Sequence, residues 1–213
     1  MAEQRLRTGR SAEFADSAGG ASNAIPLVTL VDPNDATLTW RNQQNSTVTP
    51  DVPRKSLVFL SPTAGNDQVM IYKQAVPGAS YTIEIGFTVA FPFNIPYVGF
   101  GLIVNNNAGG DKFLGILSGV VSGIDGIKGT GLSTWSTQGQ TQRPPVSHTA
   151  DIFIKMVDDG TTFTFYISAN GLDWILQYTE AHATFVGTPD EIGVVMLHDG
   201  FDMQARLFHY TVY

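Results

Sequence analysis

Between Tyr81 and Ala90 the chain alternates without a break. Tyr81, Ile83, Ile85, Phe87 and Val89 are large and apolar, while Thr82, Glu84, Gly86, Thr88 and Ala90 between them are small or polar. A period of two puts five bulky groups on one side of an extended strand, whereas helical side chains repeat every 3.6 residues. Such a strand has to bury that side against a second layer. The alternation recurs in Phe163, Phe165 and Ile167 against Thr162, Thr164, Tyr166 and Ser168, and again in Phe208, Tyr210 and Val212. Less regular strands are expected at Leu27–Val31, Ser56–Leu60, Gln68–Lys73, Val98–Val104, Phe113–Leu117, Asp151–Val157, Trp174–Tyr178 and Ile192–Leu197. No stretch reads as an amphipathic helix, so an all-β sandwich is expected.

The turns indicate how these strands connect. Asp159-Gly160 separates Asp151–Val157 from Thr161–Ser168, and Asn170-Gly171 separates the latter from Trp174–Tyr178. Asp-Gly and Asn-Gly accept the positive φ of tight hairpin turns, so residues 150–179 are expected as a three-strand antiparallel meander. Pro92 and Pro96 lack an amide hydrogen for a ladder, which makes 91–97 a loop or a bent edge. Ser118–Pro145 is polar and glycine-rich, with one irregular strand expected around Leu132–Ser136.

Composition removes several function classes. Only 15% of residues are charged, and 22 glycines and 11 prolines punctuate the chain, which argues against helical bundles and coiled coils. The net charge of -7 argues against nucleic acid as a partner, because neutralising phosphates needs a basic surface. With no cysteine, a zinc-thiolate site and a disulfide framework are excluded. No apolar run follows Arg5, Arg7 and Arg10, so no secretory signal is expected, and no run of apolar residues is long enough for membrane insertion.

Residues 1–24 are dominated by Ser, Ala and Gly, with Leu6 and Phe14 as the large apolar groups. A segment of that kind cannot bury enough surface to offset its ordering entropy. It is expected as an extended N-terminal arm, with residues 25–213 forming the sandwich. Arg5, Leu6, Arg7, Arg10 and Phe14 are the candidate contacts by which the arm docks on a neighbouring subunit.

Tyr166, Ser168, Asn170, Gly171 and Trp174 match a Y-x-S-x-[ND]-G-x-x-W hairpin pattern. That hairpin resembles one found in bacterial and phage domains of the concanavalin A-like lectin/glucanase superfamily. The order of elements around it is similar: a long alternating strand, the Gly-aromatic strand Val98–Val104, the meander, the Ile192–Val195 strand and a C-terminal strand. The resemblance implies a two-sheet antiparallel jelly roll, in a superfamily that spans enzymes, lectins and assembly modules. Within the motif, Asn170-Gly171 is expected to make the turn and Trp174 to lean on the sheet. The small-residue arm, the absence of cysteine and the Asn/Thr/Gly-rich body also resemble a tailed-phage virion protein.

Glycoside hydrolysis needs two carboxylates across the sugar, about 5–5.5 Å apart for retention and wider for inversion. The glucanases of this fold carry paired acids on one strand, yet no Glu-x-Asp or Asp-x-Glu occurs here, and Glu84 stands alone on its strand. Carboxylates converging from separate strands remain the one route to hydrolysis. No Gly-x-Ser-x-Gly elbow is present, and His148, His182, His198 and His209 are scattered and read as surface or sheet-facing. Calcium has weak candidates in the oxygen-rich loops Asn105–Asp111 and Asp199–Asp202, neither with EF-hand spacing. No other cofactor or metal is implied.

Sugar binding asks for aromatic platforms and planar polar groups at a recess. Trp135, Trp40, Tyr97 and Gln138 are the candidates, with Tyr72 and Asn42–Asn45 nearby in composition. The first expectation is therefore a non-enzymatic phage virion protein, in capsid decoration or a tail or fibre. Its partners would be other virion proteins and copies of itself. The alternatives are a module reading host-surface glycan and, last, a polysaccharide hydrolase.

Overall fold

The alternating segments form strands, and they form them against one another. The computed structural model describes residues 29–62, 67–90, 98–119, 123–132, 136–137, 141–142, 151–199 and 202–213. In chain order the first strands are β1 (Thr39–Arg41), β2 (Thr47–Asp51), β3 (Ser56–Ser61), β4 (Asp67–Ala75) and β5 (Tyr81–Ala90). They are followed by β6 (Gly99–Asn106), β7 (Lys112–Gly119), β8 (Gly123–Thr130), β9 (Ser136–Thr137) and β10 (Thr141–Gln142). The last five are β11 (Ile152–Asp158), β12 (Thr162–Ser168), β13 (Ile175–Ala181), β14 (Glu191–Asp199) and β15 (Met203–Val212). Among the described residues there is no α-helix, only three short 3-10 turns.

The strands build two sheets. One has eight strands in the order β1-β4-β14-β6-β7-β8-β10, with β9 beside β8, and the other has seven in the order β13-β12-β11-β5-β15-β3-β2. Every ladder is antiparallel. The two-sheet jelly roll expected from the sequence is the fold of the described residues.

The inner core follows from the period of two. Tyr81, Ile83, Ile85, Phe87 and Val89 of β5 are all buried, and face Phe100, Leu102 and Val104 of β6 and Ile192, Val194 and Met196 of β14. Ring contacts run across the layer: Trp40 to Phe59 at 5.9 Å, Phe59 to Phe100 at 5.2 Å and Phe100 to Phe87 at 5.0 Å between centroids. Each such ring removed from water is worth roughly 1.5–3 kcal/mol.

A second apolar cluster lies on the outer side of the eight-stranded sheet. Val69, Ile71, Ile103, Phe113, Leu117, Ile127, Val195 and Leu197 are buried there together with Leu132. Leu132 is tied down by main-chain bonds: its carbonyl accepts from Val69 N at 2.9 Å and from Asn42 Nδ2 at 3.0 Å. Strands buried on both faces read as continuous apolar runs, which is why β6 and β14 are the least alternating in the chain. Gly101 and Gly193 also point to this side, and a Cβ at either would run into the backbone of the adjacent strand, at Ile116 and Tyr72 respectively. Glycine is therefore required for the strands to approach as they do.

The meander and its turns are as expected. Gly160 and Gly171 have φ of +90° and +72°, and β11, β12 and β13 pair in sequence order. Three expectations need correction. Residues 29–31 are not a strand; Val31 instead bonds to β15. The main strand inside Ser118–Pro145 is β8, paired with β7 along its whole length; of the strand expected around Leu132–Ser136, Ser136 opens the short β9, Leu132 is a non-strand core residue and 133–135 lie outside the described residues. Glycines at 123, 126 and 129 hide β8 from a propensity reading, because pairing to both neighbours outweighs their entropy cost. The short strands β1 and β2 were not expected at all, and β15 begins at Met203 rather than Phe208. Residues 1–24, the boundary at 24/25 and the loop 91–97 lie outside the described residues.

Candidate functional site

The outer face of the eight-stranded sheet turns from apolar to charged at one end. Arg41 from β1, Lys73 from β4, Asn105 from β6, Glu191 from β14 and Asp111 from the β6–β7 turn converge there. Alternation and register bring them together: Glu191 lies across from Asn105 in one ladder, and Lys73 pairs with Thr39, two residues before Arg41. Asp111 is held at φ 55°, a left-handed conformation that Asp tolerates better than most residues and that here turns its carboxylate back over the sheet.

The contacts close into a network. Asp111 Oδ1 is 2.7 Å from Arg41 Nη2 and accepts from Arg41 Nε at 3.0 Å. Glu191 Oε1 is 2.9 Å from Lys73 Nζ, and its Oε2 lies 3.6 Å from Arg41 Nε. Asn105 Nδ2 bridges the two acids, donating to Glu191 Oε2 at 2.9 Å and to Asp111 Oδ1 at 3.2 Å. Two cations thus balance two anions. Side-chain exposure is graded, with Glu191 at 7% and Asp111, Lys73 and Arg41 at 24%, 24% and 29%. Beneath them Asn105 is fully buried, and its Oδ1 has no hydrogen-bond partner among the described residues.

A half-buried ion network of this kind is a poor way to gain stability, since desolvation offsets much of the Coulomb attraction. It is a good way to fix directions. Each carboxylate is oriented by a cation, and the sheet carries no side chain at Gly193, two residues along the same face from Glu191. The arrangement holds donors and acceptors at fixed angles on the sheet face. The convergence of Asp111 and Glu191 is the cross-strand pairing of acids that single-strand motifs miss. Each of the two acids faces a cation, Asp111 that of Arg41 and Glu191 that of Lys73.

Other polar clusters are closed on themselves. Asp158 Oδ1 lies 2.8 Å from His182 Nε2 and accepts from Gly160 N at 2.8 Å, while Phe163 stacks on the imidazole with centroids 4.0 Å apart. Burial and the charge of Asp158 push the phenol of Tyr81 well above its usual range. Glu180 bonds Lys128 Nζ at 2.7 Å and accepts from Tyr178, whose phenol is raised by burial and by that carboxylate. Glu180 and His182, a pair two residues apart, therefore go to different partners.

On the outer face of the seven-stranded sheet, Lys155 Nζ sits 4.1 Å from the Trp174 ring centroid and 5.3 Å from that of Tyr166. Trp174 leans on the sheet as expected, over its own lysine. The hairpin motif is structural: Asn170 Oδ1 accepts from Leu172 N and Asp173 N at 2.9 Å, and Ser168 Oγ from Gly171 N at 2.9 Å.

Of the residues expected to read sugar, Trp40 packs on Phe59 and on Tyr72, the latter at 5.0 Å, so its ring belongs to the core margin and not to an open platform. Trp135, Tyr97 and Gln138 lie outside the described residues, as do Arg5, Leu6, Arg7, Arg10 and Phe14. Asn42 bonds Val69 O at 2.9 Å and Gln43 Nε2 bonds Ser46 O at 2.8 Å, so both serve the turn. Asn45 lines an open cleft of ≈ 570 Å³ at the opposite end of the sandwich, with Leu60, Ala90 and Asp202. The calcium expectation at Asn105–Asp111 fails on its donors. The Arg41 guanidinium beside Asp111 opposes a second cation there, Asn106 Oδ1 accepts from Gly109 N, and Asp190 holds the amides of Asn107 and Ala108. Among the described residues no three His, Asp or Glu side chains gather as a metal site.

No protein-family model matches the chain, and no curated protein matches it. Solved structures do. A functionally unknown protein from Saccharomyces cerevisiae aligns with a TM-score of 0.61 at 12% identity, covering 83% of this chain and 95% of that one. The Lotus tetragonolobus seed lectin aligns with a TM-score of 0.55 at 9% identity, over 84% of this chain and 93% of the lectin. An engineered GH43 glycoside hydrolase aligns with a TM-score of 0.54 at 12% identity, over 93% of this chain but 43% of the hydrolase. At these identities the likeness is one of fold, a lectin-like β-sandwich that carries both binding proteins and parts of enzymes. None of the three is a virion protein, and the virion expectation keeps only its support in the sequence.

Proposed function

We propose that the protein is a non-catalytic glycan-binding module and that it grips sugar hydroxyls with Arg41, Asp111 and Glu191 over the base formed by Asn105 and Lys73. The observation that carries this reading is the convergence of five polar side chains, from four strands and a turn, on one sheet face around a buried amide oxygen that lacks a partner. Planar charged groups held at fixed angles match the vicinal hydroxyls of a sugar ring, accepting from one and donating to its neighbour. The lectin named above supports the reading by fold, and the pairing of both acids with cations supports binding over cleavage.

The test is a glycan array with the wild type and Arg41→Ala. The wild type is expected to bind at least one saccharide class. Arg41→Ala is expected to weaken that binding about tenfold or more, with an unchanged circular dichroism spectrum, as removal of one charge-assisted bond of about 1.5–3 kcal/mol implies. Absence of binding by the wild type, or full binding by Arg41→Ala, overturns the assignment. A reducing-sugar assay on any bound polysaccharide is expected to stay flat.

A further inference from the structure

Residues 29–32 are fastened to β15 by two hydrogen bonds. Val31 N donates to Nδ1 of His209 at 2.9 Å, and Tyr210 N donates to the carbonyl of Val31 at 3.2 Å. Because Nδ1 accepts, the neutral imidazole carries its proton on Nε2. That nitrogen points toward Glu84 Oε2 across 3.9 Å, too far for a hydrogen bond. The imidazole is 2% exposed, so water does not substitute for either partner.

The placement is built into the sheet. A register shift between Leu207 and His209 in the β15–β5 ladder re-aims the side chain, as β-bulges do. Across from it stands Gly86, where a Cβ would strike Phe208, Phe153 and His209. Glycine at that position in an otherwise alternating strand makes room for the Phe208 and Phe153 rings and for the Cβ of His209.

We propose that His209 is an acid-released latch on the segment that leads into the sandwich. Uptake of one proton at Nδ1 converts the acceptor into a donor facing the Val31 N–H, and two donors cannot share that bond. The resulting imidazolium is drawn by its Nε2–H toward Glu84, so the side chain exchanges a main-chain partner for a carboxylate. The charged and titratable groups around it are Glu84 from β5, Lys155 from β11, Tyr210 from β15 and Tyr213 just after it. Asp32 in the fastened segment turns its carboxylate to Asn34 instead. Lys155 Nζ lies 3.8 Å from the other oxygen of the same carboxylate. Burial pushes the Glu84 carboxyl up, but the contacts from His209, Tyr213 and Lys155 outweigh it and hold it below its ordinary value. Glu84 thus stays the charged partner toward which a protonated imidazole turns. The inference is independent of the glycan reading, which concerns the other sheet.

The test is amide hydrogen exchange of the full chain by NMR, expressed as protection factors to remove the intrinsic pH dependence. In the wild type, Val31 protection is expected to fall about tenfold or more between pH 7 and pH 5, while Ile85 in the core stays protected. In His209→Asn the Oδ1 takes the place of Nδ1 and accepts without titrating, so Val31 is expected to stay protected at both values. Wild-type protection that does not change, or an equal loss in His209→Asn, overturns the latch. The wild-type series decides the question even if the variant does not fold.

Discussion

The two outer faces of the sandwich are put to different uses. Outside the eight-stranded sheet, a second apolar cluster around Ile103 and Phe113 gives way to the ion network of Arg41, Lys73, Asp111 and Glu191. Outside the seven-stranded sheet no second cluster forms among the described residues. Aromatic rings there are covered by Lys155, and Glu84 collects Lys155, His209 and Tyr213. The face richer in exposed-looking aromatics by sequence is the one whose rings lie under a lysine. The face that presents oriented charges around an unpartnered amide oxygen is made of residues with no motif between them.

The largest effect expected from that contrast is on stability. Phe113 is fully buried on the outer side of its sheet, with no part in the layer between the sheets. If the outer cluster is a true second core, Phe113→Ala costs about 3–5 kcal/mol, as ring deletions in cores do. Tyr166→Ala on the opposite face, half-buried beside Lys155, is expected to cost about 1 kcal/mol, the scale of a cross-strand pair. Urea unfolding of the two variants measures both. Equal costs would erase the distinction between the faces.

An intermediate effect sharpens it. Lys155 Nζ lies over Trp174, and burial lowers the ammonium's pKa while Glu84 pulls it back up. Lys155→Ala is expected to cost about 1 kcal/mol, the sum of a cation–π contact and a partly exposed ion pair. It is also expected to uncover Trp174, read as stronger acrylamide quenching of the tryptophan emission. Quenching identical to the wild type would mean that the lysine does not cover the ring.

The same contrast explains what the sequence made legible. The inner core was readable because Tyr81–Val89 and Phe163–Ile167 carry their period of two in plain view, and the meander because Asp159-Gly160 and Asn170-Gly171 are turn formers with one physical use. β8 was hidden, since Gly123, Gly126 and Gly129 favour a loop locally and become a strand only through long-range pairing with β7. The candidate site was hidden for a related reason. Its residues are spread from Arg41 to Glu191, and the ladders that join them are antiparallel pairings between segments far apart in sequence. One signal was available: Glu191 and Asn105 are polar residues at the ends of otherwise apolar runs. Trp40 misled in the opposite direction, because a tryptophan in a polar stretch looks exposed until Phe59 and Tyr72 are placed beside it.

The smallest expected effect tests whether the seven-stranded face is held by its acid. Tyr213 donates its hydroxyl to Glu84 Oε1 at 2.8 Å, and burial together with that carboxylate pushes the phenol up to about 12. The Glu84 carboxyl is held below its usual value despite burial, so the ionised form is favoured by the fold. A depressed carboxyl stabilises the fold fully above its unfolded value and loses that contribution as the pH falls through the folded one. Tyr213→Phe removes one of the contacts that depress it. The variant is therefore expected to be less stable by about 0.5–1 kcal/mol at pH 7, the range for a solvent-facing bond to a charged group. The gap is expected to narrow as the pH falls through the depressed Glu84 value, because protonation removes the charge that the Tyr213 bond favours. Urea titrations of both chains from pH 7 downward into acid measure it. A gap that persists undiminished in acid would place the role of Tyr213 in packing and remove Glu84 as the organiser of that face.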